Sequence, residues 1–98
     1  MSGRRNRRAP EFKKLFAALP AHIQDHAREA FQRFVADASH LALRHHALKD
    51  NDRGRHRAGS FSVSVTRSYR AIYYIVEEQN VWYWIGTHAD YDKFTGHK

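Results

Sequence analysis

The chain has 98 residues, a formal net charge of +7 and no cysteine. That length supports one domain with room for a single site, and the lack of thiols excludes a disulfide framework, thiolate catalysis and any zinc site that depends on Cys. Apolar residues at 42% and charged residues at 28% place it among globular rather than disordered chains.

Residues 1–8 hold Arg4, Arg5, Arg7 and Arg8, four of the net positive charges, and show no reliable period. They read as a basic arm, or at most a short edge strand. The N-terminus has no apolar signal core and no run approaches 18 apolar residues, which argues against secretion and membrane insertion and points to the cytoplasm. Pro10 suits the first turn of a helix. Glu11 follows near the positive end of its dipole, with Phe12, Leu15, Phe16 and Leu19 at helical spacing, and Pro20 ends the segment. From Ala21 to Ala38, Ile23, Ala27, Ala30, Phe31, Phe34, Val35 and Ala38 form one stripe, predicting a second, amphipathic helix. The tight Leu19-Pro20 junction makes the two an antiparallel hairpin.

Residues 39–59 read mainly as connection, with Leu41, Leu43 and Leu48 as anchors onto the core. A link of that length is often functional. Its stretch from Arg44 to Arg57 carries Arg44, Lys49, Arg53, Arg55 and Arg57 against only Asp50 and Asp52. Two separate basic stretches favour a polyanionic partner over a merely solvated tail. The period then changes to two: Phe61, Val63 and Val65 alternate with Ser62, Ser64 and Thr66, a turn at Arg67-Ser68 leads into YRAIYYIVE, and a second turn precedes VWYWIGT. Hairpin followed by an antiparallel meander of three strands, or four if the arm pairs, is an α+β pattern.

Parity assigns the faces. Phe61, Val63, Val65, Ala71, Tyr73, Ile75, Val81, Tyr83 and Ile85 are expected to meet the helices. Ser62, Ser64, Thr66, Arg70, Ile72, Tyr74, Trp82 and Trp84 are then expected on an uncovered face, which a further step of two beyond Gly86 extends to His88. Each residue has a bland alternative: a packed stem for Arg70, a strand-end hydrogen bond for His88, simple packing for Trp82 and Trp84. Their convergence favours phosphate chemistry, which wants a cation for developing charge, a group that titrates near neutrality and aromatic surfaces for unpaired bases. His22 and His26 lie i, i+4 but have no third ligand and lack the glutamate of HExxH, and His45-His46 is a weak metal signal and a reasonable phosphate contact. No metal site is therefore expected. Phosphate loops, GxSxG elbows and dinucleotide fingerprints are absent from the sequence.

Three stretches, APEFKKLFAALP with its following amphipathic helix, FSVSVTRSYRAIYYIVEE and WIGTHADYDKF, together resemble the RelE/ParE superfamily of type II toxins across residues 10–94. The resemblance implies a toxin held inactive by a cognate acidic antitoxin and, for the RelE and HigB-like branches, metal-independent and cofactor-free cleavage of mRNA on the ribosome. It implies catalytic roles for Arg70, at the family's Tyr-Arg position, and for His88, Asp90 and Tyr91 in the tail, with Asp90 orienting His88 or merely capping a loop. Lys49, Arg53, Arg55, Arg57 and Arg67 become contacts to the RNA backbone and Trp84 a stacking surface. Ser62 and Ser64 depart from the pattern, standing where RelE carries two lysines. A ParE-like, non-enzymatic inhibitor of DNA gyrase and a degenerate member that only binds antitoxin are the alternatives, and the oligomeric state stays open.

Overall fold

In the computed structural model, which describes residues 4–96, the arginine-rich segment is an edge strand, β1 (Arg5–Arg8). Polar side chains hold it. Asn6 Oδ1 accepts from Asn80 Nδ2 at 3.1 Å and from the Trp82 indole at 3.0 Å, while Arg4 Nε donates to Asn80 Oδ1 at 3.0 Å. Helix α1 (Pro10–Ala17) starts on the proline, where a missing N–H leaves nothing unpaired. Its free C-terminal carbonyls are gathered by one side chain of the next helix: Gln24 Nε2 lies 3.0 Å from Phe16 O and 3.2 Å from Leu19 O.

Helix α2 (Ala21–Ala36) buries Ile23, Ala27, Ala30 and Phe34. It stops two residues short of the predicted end because Asp37 Oδ1 takes hydrogen bonds from Ser39 N (3.1 Å) and Ser39 Oγ (2.7 Å), a local turn that competes with the helix. Val35 is therefore left 60% exposed at the frayed end of the stripe, and Phe31 is 42% exposed. Of the three expected anchors in the connection, Leu43 and Leu48 are buried, but Leu41 opens a 3₁₀ turn (Leu41–Leu43) and points outward at 91% exposure. The connection also contains a two-residue strand, β2 (His46–Ala47), too short to leave any period in the sequence.

Strands β3 (Ser60–Ser64), β4 (Tyr69–Val76) and β5 (Gln79–Thr87) form the expected meander, followed by a third helix, α3 (His88–Thr95). The sheet order is β1-β5-β4-β3-β2, with β1 parallel to β5 and the other pairs antiparallel. The three-strand expectation thus grows to five, by one short strand at each edge, within an α+β architecture whose helical hairpin covers one face. No described helix is long and apolar enough to cross a membrane.

Strict alternation fails at one place. Ile72 pairs with Trp84 and Tyr73 with Trp82, so Tyr83 is an extra residue on β5 and the parity of that strand reverses beyond it. Trp82, expected on the open face, joins Phe12, Phe34 and Tyr73 in the core beneath the helices, and Val81 pairs with Tyr74 instead. Tyr83, expected to face the helices, packs with Ile72, Trp84, Tyr91 and Phe94 on the opposite side. That opposite face is not uncovered, because α3 and Leu48 lie across its middle.

His45 closes the main core. Its ring lies against Phe34 (centroids 5.5 Å) and Phe61 (5.6 Å), and its Nε2 shares a hydrogen bond of 2.7 Å with the Tyr73 hydroxyl. Burial pushes the Tyr73 phenol up to about 12 and holds the His45 imidazole below its ordinary 6.5. The nearby His46 and Arg4 charges act on His45 in the same direction, and a hydrogen bond with the Ala38 backbone opposes them. This commitment to the core removes His45 from the expected phosphate contacts. A folded-state pKa below the unfolded one means that unfolding takes up a proton, so this contribution is fully present above about pH 6.5 and declines as the pH falls below it. Urea midpoints compared at pH 7.5 and 5.5 are expected to fall on acidification, and His45→Gln to shrink that fall.

Candidate active site

Thr87 turns the strand into a helix. Its Oγ1 accepts from Asp90 N at 3.1 Å, a side-chain cap on one of the first-turn donors, and the chain is pinned again where His88 N donates to Ser68 O at 2.7 Å. His88 is therefore the first residue of α3 and not the continuation of a strand. It reaches the Arg70 side of the sheet nonetheless, because α3 folds back over Ile72.

Tyr91, itself one of the expected catalytic residues, neighbours two of the others, Arg70 and His88. Its ring lies 6.0 Å from the Arg70 guanidinium carbon and 6.0 Å from the His88 ring. Arg70 is steadied through Nη1, which donates to Thr66 O at 3.0 Å and more weakly towards Tyr69 O (3.3 Å) and Arg67 O (3.4 Å). Among the described residues its Nε and Nη2 have no protein partner, which leaves donors for an anion. The carboxylate that reaches His88 is Asp92, with Oδ2 at 3.3 Å from Nδ1, one helical turn on. Asp90 is exposed in the first turn, where a carboxylate suits the helix dipole. Asp92 is not among the residues expected from the sequence, because only a helix brings it back to His88; THAD, a Thr-x-x-Asp pattern before a buried Tyr91, is the helix-start signal available there. Arg67 is exposed on the β3–β4 turn beside Ser68 and so belongs to this end of α3.

Lys49, Arg53, Arg55 and Arg57 are placed elsewhere. Asn51 Nδ2 donates to Thr95 O at 2.9 Å and Arg55 N to Phe94 O at 2.7 Å, which ties the basic loop to the C-terminal end of α3. The two cationic clusters are thus separated by the length of this eight-residue helix, about 12 Å at 1.5 Å per residue. Trp84 offers no open stacking surface. Its ring stacks on Phe94 at 5.1 Å and 16°, lies 6.2 Å from Tyr91, and covers Gly86, where an added Cβ would come within 2.8 Å of the indole.

Ser62 and Ser64 are closed off. Both hydroxyls are buried without a hydrogen-bond partner among the described residues, and Ser64 lies directly across from Arg70 in the sheet. No group of three His, Asp or Glu residues among those described is placed to hold a metal ion; His26 pairs with Glu29 at 3.5 Å on the exposed side of α2.

No protein-family model matches the sequence, and no curated protein matches it. Solved structures do match the fold. The chain is similar to YafQ from E. coli strain BL21(DE3), with a TM-score of 0.66 and 14% identity over 90% of this chain and 97% of that one. It is similar to a chain of the E. coli DinJ-YafQ toxin-antitoxin complex, with a TM-score of 0.68 and 13% identity over 90% and 96%. A chain of the RelBE2 toxin-antitoxin complex from Mycobacterium tuberculosis gives 0.65 and 19% over 88% and 99%. The fold is RelE/ParE-like.

Two substitutions test this packing. Gly86→Ala is expected to lower stability by about 1–3 kcal/mol, because the Trp84 ring is held by Phe94 and has little room to retreat. Ser62→Ala removes a buried unsatisfied hydroxyl and is expected to raise stability by about 1 kcal/mol. Chemical denaturation of each purified variant reads both.

Proposed function

We propose that the chain is the toxin of a type II toxin-antitoxin pair and cleaves mRNA in the ribosomal A site, in the cytoplasm, without a metal. The observation that carries this reading is the grouping of Arg70, Tyr91 and His88 at one end of α3, with the guanidinium and the imidazole each 6.0 Å from the Tyr91 ring. Support for the toxin role comes from fold neighbours whose names are those of toxins and toxin-antitoxin complexes.

In this mechanism the RNA 2′-oxygen attacks the adjacent phosphorus, the bond from phosphorus to the 5′-oxygen breaks, and a 2′,3′-cyclic phosphate and a 5′-hydroxyl result. His88 takes the proton from the 2′-OH or supplies one to the leaving oxygen, and Arg70 neutralises the pentavalent phosphorane. Asp92 orients the imidazole, Asp90 stabilises the start of α3, and Tyr91 keeps the two reactive side chains apart while offering a hydroxyl to the substrate. One histidine is modest equipment for both proton transfers, and the ribosome supplies the alignment. Arg67 at this end, with Lys49, Arg53, Arg55 and Arg57 at the other, contacts the RNA backbone; Trp84 contributes by packing. An acidic antitoxin segment with an apolar side fits the 470 Å³ cleft between the helices and the sheet, which Phe12, Phe16, Phe31 and Phe34 line together with Arg8 and Arg28.

Purified protein incubated with programmed ribosomes is expected to produce RNA ends within the A-site codon. His88→Ala and Arg70→Ala should each reduce cleavage about a hundredfold or more, and Asp92→Asn less. Intact RNA together with inhibited DNA supercoiling would replace this reading with gyrase inhibition, and cleavage that survives both alanine substitutions would refute the site.

A further inference from the structure

We propose that Arg57 and Tyr74 form a stacking platform for one unpaired base of the bound RNA, a subsite at the opposite end of α3 from His88. This rests on the RNA reading above. The guanidinium carbon of Arg57 lies 4.0 Å from the centre of the Tyr74 ring, well within the range of a cation–π contact. Such a stack is more than a positive charge in a loop, because it presents a flat cation backed by a flat ring.

The platform is built from a fixed backbone. Arg57 N donates to the Tyr83 hydroxyl at 2.8 Å, Ser60 Oγ donates to Arg57 O at 2.7 Å, and the Tyr83 and Ser60 oxygens are 2.7 Å apart. Because the only hydroxyl proton of Ser60 goes to Arg57 O, the proton between the two hydroxyls belongs to Tyr83. The three bonds close a ring in which every hydroxyl donates once and accepts once. Tyr83 in turn braces Tyr74 edge-on, with centroids 5.4 Å apart at 68°. The backbone ring alone fastens the loop to the sheet, so the side-chain stack is not required for that task.

Its chemistry suits a base. Arg57 is exposed and no described carboxylate pairs with it, so one face of the guanidinium is backed by Tyr74 and the other meets solvent. A nucleobase sandwiches onto such a surface, whereas a bare phosphate or a peptide carboxylate would engage only the guanidinium edge. Tyr74 lies four residues along β4 from Arg70 on the same face, about 13 Å at 3.3 Å per residue. The base it holds therefore belongs to a nucleotide neighbouring the cleaved bond, not to the cleaved one.

The test is a cycle between base and side chain in the ribosome cleavage assay. A single abasic nucleotide is stepped through the positions flanking the cut, and cleavage rates are measured for the wild-type chain, Tyr74→Leu, Arg57→Lys and Tyr74→Phe. At one position, loss of the base is expected to slow the wild type about fivefold to a hundredfold, the range set by stacking of one base. That penalty should vanish in Tyr74→Leu and Arg57→Lys, the second of which keeps the charge, and return in Tyr74→Phe. If the penalty persists unchanged in both variants, or no position shows one while the wild type cleaves, the platform is refuted and the cleavage reading stands. If the wild type cleaves no RNA, both fall together.

Discussion

The extra residue on β5, the strand between β1 and β4, determines which side chains each layer of the molecule receives. With Tyr83 unopposed, Trp82 turns into the core under the helices and both Tyr83 and Trp84 turn towards α3. The aromatic run therefore serves two cores at once. One is closed by α1, α2 and His45. The other is smaller, built on Ile72, Leu48 and Tyr91, and it is the floor on which α3 sits. Without that second floor there would be nothing to bring His88 back over the strand that carries Arg70, because a C-terminal segment of eight residues has too few contacts of its own to hold a helix.

Helix α3 then acts as a spacer between two cationic ends. Its first turn is fastened by Thr87 and Ser68, its last by Asn51 and by Arg55 N, so both ends are tied to loops that carry arginine. For the RNA partner proposed above, phosphate and base contacts would fall at successive nucleotides along a strand, and a rigid element of about 12 Å between the two clusters suits that proposal better than one diffuse basic patch. The packing of Trp84 over Gly86 belongs to the same arrangement: the absent side chain at Gly86 leaves room for the ring, and the ring supports Phe94 and Tyr91 from below.

The buried serines mark where this chain differs from the pattern it resembles. The hydroxyls of Ser62 and Ser64 are buried and unpaired among the described residues, so a lysine at either position would have to carry its charge out of the interior. Proton transfer in the proposed reaction therefore rests on the helix end and not on β3. Asp92 at 3.3 Å from His88 is the part of the equipment that a strand-like reading of the tail could not supply.

Several features were legible in the residues alone. Pro10 and Pro20 bracket the first helix, the stripe Ile23, Ala27, Ala30 and Phe34 defines the second, and alternation through FSVSV announces β3, because local geometry and burial on one face impose periods that a chain cannot hide. Arg70 and His88 stand out on residue type and position and Tyr91 on the resemblance of the tail, and the structure places all three at one end of α3. Four things came only from the folded chain: the shift at Tyr83, the two-residue strand β2, the pairing of His88 with Asp92 and the stack of Arg57 on Tyr74. Each depends on residues brought together across the sheet or on a helix whose start was masked by a preceding strand. A bulge leaves no mark in an aromatic run, since every residue of VWYW is suited to burial on either face. Which face each one takes is decided by the neighbouring strand, not by the residue itself.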